Sequence, residues 1–562
     1  KLFDWSPFCS AVAAALAHVT VGPSPLGAMG VFAFVFPMAS GHLNPSLPIA
    51  RFLVAQGHEV HYLCREQLRA GIEDTGAVFH SDIGVQPELY EGRRPDFIGA
   101  TASLKKEYGL EGDSTIDAIV KLRMVQREMM LPGTIRWLKR LGAHAVLYCP
   151  LLNSDAALAA FVVGIPSVAL LTIAGPGACA PSTAEFLSKC GATAEGALRT
   201  GLDFQPNMEA VSRMSARYGV DVPAVEGLSP LGKMDFAKFS QVTLVTTCED
   251  LQDPLSPELA EIYQREGVRF EAVGALLDQE GAKRAAGHRY TEQPGVHEGN
   301  GHEGAMGQPD NQTDAAELLA RVRMARHEGR QVVLASMGTV VTGDHEEFGW
   351  NGRTVGADGK PRGLTGRELS QAAWAGIFDV FGGDSAEDGP LIVVSLGPQE
   401  DPLGAVEAPP NAVCLPSVPQ VDVLRAGVDM FLTHGGQNSF TEALSAGVPL
   451  VVCPGFGDQA VNARKAEALG VGLQVPRPDP DGGEEATAAA EFRASAGAAA
   501  RRVAAEPAFR AKAQACAGRL AQAGGVPRAA EWLLRAAATG AADAKAVAPT
   551  TAATGVAAVA GA

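Results

Sequence analysis

Short runs that are apolar at every position recur along this chain, separated by segments with helical period. The first is VFAFVFPM at residues 31–38. A strand with one wet face alternates apolar and polar residues. One that is apolar throughout is buried on both faces, as in a parallel sheet covered by helices. The run ends in Ala39-Ser40-Gly41-His42, after which Asn44-Pro45 opens a predicted helix, with asparagine as N-cap and proline at the first position. Leu47, Ala50, Leu53 and Val54 share one face of it, and Gly57 supplies the stop. A strand at 59–64 completes a β–α–β unit.

The alternation returns at 145–148 (strand), 155–163 (helix) and 166–171 (strand), and closes near 242–247 and 270–273. A second series starts with VVLASMGT at 332–339. It continues with a helix over 367–381 and strands at 391–395, 412–415, 430–433 and 449–453. Between the series, 278–313 is rich in Gly, His, Glu and Gln without apolar period and reads as a linker or insertion. A polar insertion is expected at 343–363. The predicted fold is α/β, two open domains joined by a linker. The expected limits are a leader at 1–29, targeting or disordered, then an N-terminal domain at 30–277 and the linker at 278–313. A C-terminal domain at 314–538 and a disordered Ala/Thr/Gly tail at 539–562 follow.

Composition narrows the function classes. A formal charge of −17 disfavours sequence-independent binding to polyanions, so no nucleic-acid partner is expected. Nine cysteines without a C-x-x-C pair read as small core residues in a reducing compartment, which favours the cytoplasm. Residues 8–21 have the length of a signal h-region but no basic n-region. No run reaches the ~18 apolar residues of a membrane span, which leaves only peripheral membrane association open. No G-x-G-x-x-G follows a predicted strand, which argues against a dinucleotide oxidoreductase, and the P-loop pattern is absent. Asp479-Pro480-Asp481 has the letters of a metal-binding D-x-D. It lies in a Pro- and Gly-rich stretch where a solvated turn is expected, so neither a metal nor a cofactor is predicted.

Open α/β sheets bind ligands at the carboxyl ends of their strands. The most informative such end is Phe431-Leu432-Thr433-His434-Gly435-Gly436-Gln437-Asn438-Ser439, where a strand meets a helix start across two glycines. Without Cβ atoms the loop lets a phosphate reach the backbone, and the helix N-terminus offers unpaired N–H groups and its dipole. His434, Asn438 and Ser439 add side-chain donors. Glu442, one turn in, can accept from a vicinal diol such as a ribose. Past the next strand, Asp458 and Gln459 present a carboxylate and an amide suited to sugar hydroxyls. These residues describe a nucleotide-diphosphate site beside a polyol reader.

The stretch from Pro416 to Asn462, PSVPQVDVLRAGVDMFLTHGGQNSFTEALSAGVPLVVCPGFGDQAVN, resembles the signature region of the UDP-glycosyltransferases, the family-1 glycosyltransferases. Members have two Rossmann-like domains facing a cleft, the GT-B arrangement, with the acceptor in the N-terminal half and the UDP-sugar, a co-substrate, in the C-terminal half, and the resemblance implies the same α/β fold here. The resemblance implies that His434, Gly435, Gly436, Asn438 and Ser439 hold the diphosphate. It implies that Glu442 and Gln420 bind ribose, that Val418 lines the donor pocket, and that Asp458 and Gln459 bind the sugar. Gln459 favours glucose. Ser336, Gly338 and Thr339 resemble the family's S-x-G-T loop. Ser40-Gly41-His42-Leu43-Asn44-Pro45 resembles the G-H-x-N-P turn whose histidine is the general base, and Asp155 matches the supporting aspartate.

Imidazole has a suitable pKa for taking a hydroxyl proton as the new bond forms. The expected reaction is metal-independent, inverting transfer of a hexose to a hydroxyl of a small hydrophobic acceptor. A UDP-sugar epimerase or a non-catalytic nucleotide-sugar binder of the same fold is the alternative, against which the G-H-x-N-P turn argues. The sequence departs from the family at Ser417, where many members stack an aromatic ring on uracil, and in the length of both insertions.

Overall fold

The computed structural model describes residues 29–224, 229, 231–285, 311–480 and 482–539. The expected leader up to residue 28, the middle of the linker and the tail from 540 lie outside them. Seven strands form the first sheet: β1 (Val31–Val35), β2 (Glu59–Cys64), β3 (Val78–Ser81), β4 (Ala145–Tyr148), β5 (Ser167–Leu171), β6 (Val242–Val245) and β7 (Phe270–Ala272). Their order is β3-β2-β1-β4-β5-β6-β7, and every pairing is parallel. The second series contributes β8 (Val332–Ser336), a two-stranded hairpin of β9 (Thr354–Val355) and β10 (Pro361–Arg362), then β11 (Leu391–Ser395) and β12 (Ala412–Leu415). It ends with β13 (Met430–Thr433), β14 (Leu450–Val452) and β15 (Gly472–Gln474), and its parallel sheet runs β12-β11-β8-β13-β14-β15.

The all-apolar strands are explained by what each face meets. Phe32 and Phe34 enter one core with Leu43, Leu47 and Leu53, while Ala33 and Val35 enter the opposite one with Trp137 and Leu138. In the second sheet Val333 and Ala335 face one core and Val332 and Leu334 the other. In each sheet the order reverses beside the first strand: β1 lies between β2 and β4, and β8 between β11 and β13. Connections diverge there and open a crevice at the carboxyl ends. The residues just past β1, β4, β8 and β13 are therefore the ones brought to the crevices.

Several expectations need correction. The helix after β1 begins at Ser40 rather than Asn44. It runs as Ser40–Leu43, a 3-10 turn at Asn44–Ser46, and Leu47–Ala55. Ala39, in extended conformation, precedes it. Asn44 is not the N-cap, because its carboxamide is engaged by a distant partner: Nδ2 donates to Ala285 O and Oδ1 accepts from Ala285 N–H, both at 2.9 Å. The edge strands β3 and β15, of four and three residues, were not foreseen.

Residues 278–285 are no bare linker. Asp278 accepts from Arg51 Nε at 3.0 Å, and the Gly281 N–H donates to Asp422 Oδ2 at 2.9 Å. The insertion at 343–363 is not uniformly polar either: Phe348 and Trp350 are buried, Phe348 completely. The C-terminal domain does not extend to 538. Helix Gly525–Thr539 returns to the first domain, where Ala529, Ala530, Leu533 and Leu534 join the core beneath β1. Its apolar face finds its complement there. The return is tight: the Gly525 N–H donates to Val273 O at 2.6 Å, and a Cβ on Gly274 (φ +80°) would lie 2.6 Å from Leu520 O.

Among the described residues no helix is long and apolar enough to cross a membrane. The described cysteines are all free, and most are buried.

Candidate active site

The two crevices face each other. On the first domain's side, His42 sits in the opening helical turn after β1 and is half-buried. Its Nδ1 lies 3.0 Å from Thr172 Oγ1, at the end of β5, and 3.3 Å from Cys149 Sγ, at the end of β4. Nε2 has no hydrogen bond among the described residues. Burial without a compensating charge lowers the His42 pKa to about 4, so the ring is neutral near pH 7.

The expected His42–Asp155 pair is not formed. Asp155 opens helix Asp155–Val163 and is 1% exposed, and none of the hydrogen bonds of His42 reaches it. The residue that leaves β4 directly and meets the ring is Cys149. A neutral hydroxyl and thiol therefore fix the imidazole where a carboxylate was expected. Both residues lie at strand ends, where ligands gather in such sheets, but neither type suggests a partner for a base.

On the second domain's side, β13 runs into Thr433-His434-Gly435-Gly436, and helix Gln437–Ser445 follows. The glycines are required by close approach. Gly435 has φ +83° and faces Val452, whose methyl occupies the space of a Cβ. A Cβ on Gly436 would lie 2.6 Å from His434 Nε2, and one on Gly338 (φ +78°) would lie 2.5 Å from His434 Cε1. The imidazole is thus held between the S-x-G-T loop and the glycine pair. Burial lowers its pKa to about 4, leaving a neutral ring. Asn462 Nδ2 donates to Gly435 O at 2.9 Å and fixes the loop from behind.

The first intrahelical bond runs from Phe440 N–H to Gly436 O, so the amides of Gln437, Asn438 and Ser439 precede it. Asp458 Oδ2 takes the Gln437 N–H at 3.0 Å, which leaves those of Asn438 and Ser439 at the helix end. Burial raises the Asp458 pKa to about 6. Gln459 Oε1 accepts from the Gly455 N–H at 2.8 Å, which turns its amide nitrogen away from that loop. Gln420 Nε2 donates to Ser439 Oγ at 3.1 Å and to Glu442 Oε2 at 2.7 Å. The N–H of Gln420 in turn donates to the carbonyl of half-buried Val418 at 2.8 Å. Ser336 closes β8, and its carbonyl accepts from the His434 N–H at 3.3 Å.

The expected donor residues thus converge at one place, and three of them cross the cleft. Thr339 Oγ1 is 2.9 Å from Ser40 Oγ, Asn438 Nδ2 donates to Gly41 O at 2.8 Å, and Glu442 pairs with Arg284 at 2.6 Å. Arg284 was not foreseen, because it sits in a polar stretch with no pattern. Asp479 of the D-x-D letters is bound to Lys189 and accepts from Thr354 at 3.1 Å, and Asp481 lies outside the described residues. Among the described residues no group of three His, Cys, Asp or Glu side chains converges as metal ligands do.

Residues 407–477 match the family model described as UDP-glucoronosyl and UDP-glucosyl transferase. That segment of the chain is similar to the UDP-glycosyltransferases. Among curated relatives, the NDP-glycosyltransferase YjiC of Bacillus subtilis (strain 168) is 41% identical over 86 residues, which are 15% of this chain and 22% of that protein. The anthocyanidin 3-O-glucosyltransferase of Hordeum vulgare is 46% identical over 69 residues, 12% of this chain and 15% of the relative. The matched sequence therefore spans less than a quarter of either relative's length.

The fold extends the likeness over nearly all of the chain. The glycotransferase of kitacinnamycin superposes with a TM-score of 0.56 at 20% identity, covering 90% of this chain and 99% of that one. The glycosyltransferase SnogD from Streptomyces nogalater gives 0.53 at 17% identity, over 91% and 100%. The matched segment thus sits in a GT-B frame, and it contains β12 to β15 with the glycine pair and Asp458.

Proposed function

We propose that this chain transfers a hexose from a UDP-sugar, UDP-glucose first among them, to a hydroxyl of a small hydrophobic acceptor, with inversion and without a metal. One observation carries the reading. The Asn438–Gly41 bond joins the first turn of the diphosphate helix to the residue before His42. A base and an anion-holding helix end then face one another across a single cleft.

In the proposed reaction, Nδ1–H of His42 donates to Thr172 Oγ1, so Nε2 carries the lone pair. Nε2 takes the acceptor proton as the oxygen attacks the anomeric carbon. The bond from that carbon to the UDP oxygen breaks, and the charge on departing UDP is met by His434 and the amides of Asn438 and Ser439. A single displacement inverts the centre. The apolar acceptor is supported by Phe186, Phe348 and Phe456, which join the two domains beside the Asp458 loop. Phe348 and Phe456 stack with centroids 4.3 Å apart.

His42→Ala tests the assignment. Its turnover is expected to fall about 10²–10⁴-fold, while UDP binding stays within about threefold. Unchanged turnover removes His42 from the mechanism. UDP release only in the presence of an acceptor separates transfer from epimerisation or binding alone.

A further inference from the structure

Glu442 is the carboxylate that the donor reading assigns to ribose, yet it is only 5% exposed. A carboxylate so far from water needs a cation and fixed donors to stay charged. Both come from outside its own helix. Arg284 Nη2 meets Oε1 at 2.6 Å, and Gln420 Nε2 meets Oε2 at 2.7 Å. Each oxygen is held by one donor, and each keeps a lone-pair direction for a hydroxyl.

The guanidinium is delivered from the other domain's side. Ala285, the next residue, has both backbone groups bound to the Asn44 carboxamide, and the Lys283 N–H donates to Asp74 Oδ2 at 3.2 Å. Asn44 stands two residues after His42. The backbone around Arg284 is thus pinned to the acceptor-side domain while its side chain holds a donor-side residue.

We propose that Arg284 is a positioning residue for donor ribose recognition. It keeps the Glu442 carboxylate aimed so that the 2′- and 3′-hydroxyls of the nucleotide are read only when the two domains are together. The proposal rests on the donor reading above. It assigns the selectivity for ribose over deoxyribose to a residue outside the sequence stretch that matches the family model.

The test is calorimetric binding of UDP and of 2′-deoxy-UDP to the full chain, as wild type, Arg284→Ala and Arg284→Lys. The wild type is expected to prefer UDP by about tenfold or more, the worth of a hydrogen bond to a charged acceptor. In Arg284→Ala the preference should collapse to about twofold or less through loss of UDP affinity, with 2′-deoxy-UDP binding little changed. Arg284→Lys, which keeps the charge without the planar fork, should restore part of it. A merely structural role would weaken both ligands equally. An Arg284→Ala protein that keeps the wild-type preference overturns the proposal, as does a wild type that binds both nucleotides alike. If Arg284→Ala does not fold, Arg284→Gln takes its place with the same expectation. A wild type that binds neither nucleotide sinks the donor reading itself.

Discussion

Gly338→Ala should damage donor binding far more than it damages the fold. Gly338 has φ +78°, where an L side chain costs roughly 1–2 kcal/mol. That part of the loss is shared by any such glycine. Gly164→Ala, at φ +80° with nothing within 4 Å of its would-be Cβ, measures it alone. At Gly338 the new methyl would also lie 2.5 Å from His434 Cε1 and 2.6 Å from Nε2. Carbon atoms prefer separations of about 3.5–4.0 Å, so the ring must move by roughly 1 Å. It cannot simply retreat, because the Gly436 backbone closes its other side. The imidazole would then lose the hydrogen bond to the diphosphate that the proposed function gives it, worth about 1.5–3 kcal/mol for a charged acceptor, or about 10- to 150-fold in affinity. Calorimetry with UDP on both variants is the assay, and thermal unfolding checks that each is folded. Equal UDP affinity in Gly338→Ala and Gly164→Ala would refute the packing argument.

Thr172→Val removes the hydroxyl that orients His42 and should lower kcat about two- to tenfold, with the donor KM unchanged and Thr172→Ser close to wild type; a shifted donor KM would show that Thr172 acts elsewhere. Because the Asp458 pKa is raised to about 6, its carboxylate is charged above that pH and loses acceptor strength below it. The donor KM should therefore rise as pH falls through about 6. His42, at about 4, stays unprotonated across that limb, and Asp458→Asn should abolish the limb; a wild-type donor KM that is flat from about pH 7 to 5 would contradict the assignment. Phe348→Ala deletes a fully buried ring stacked on Phe456 and should cost about 3–5 kcal/mol, lowering the thermal midpoint on the order of 10 °C; an unaltered midpoint would mean that the insertion does not pack on the second domain in solution.

The architecture was legible because parallel strands buried on both faces leave an apolar signature. Strands β2 and β4 and helix Asp155–Val163 fall at the predicted limits. The convergence of the expected donor residues was legible because a strand end, two glycines and a helix start lie together in sequence. What escaped depends on residues far apart in the chain. The partners of His42 come from β4 and β5, and choosing Cys149 and Thr172 over Asp155 requires knowing which strand end meets the ring. Asn44 looked like a cap because its neighbours fit one, whereas its carboxamide is engaged 241 residues away. Arg284 lies in a stretch whose composition resembles solvent-exposed chain, and only the fold shows it against Glu442. Phe348 and Trp350 were masked by polar neighbours.

The returning helix Gly525–Thr539 constrains how such a protein can open. The chain re-enters the first domain at Gly525, directly beside Val273–Gly274 at the end of the first sheet. A crossing bound at one edge acts like the spine of a book: the covers swing about that edge and resist sliding against each other. The Ser40–Thr339 and Asn438–Gly41 contacts would part along an arc, and a substrate would enter from the free margin opposite the spine. Cutting the chain at that crossing would release this tie and strip the first core of Leu533 and Leu534.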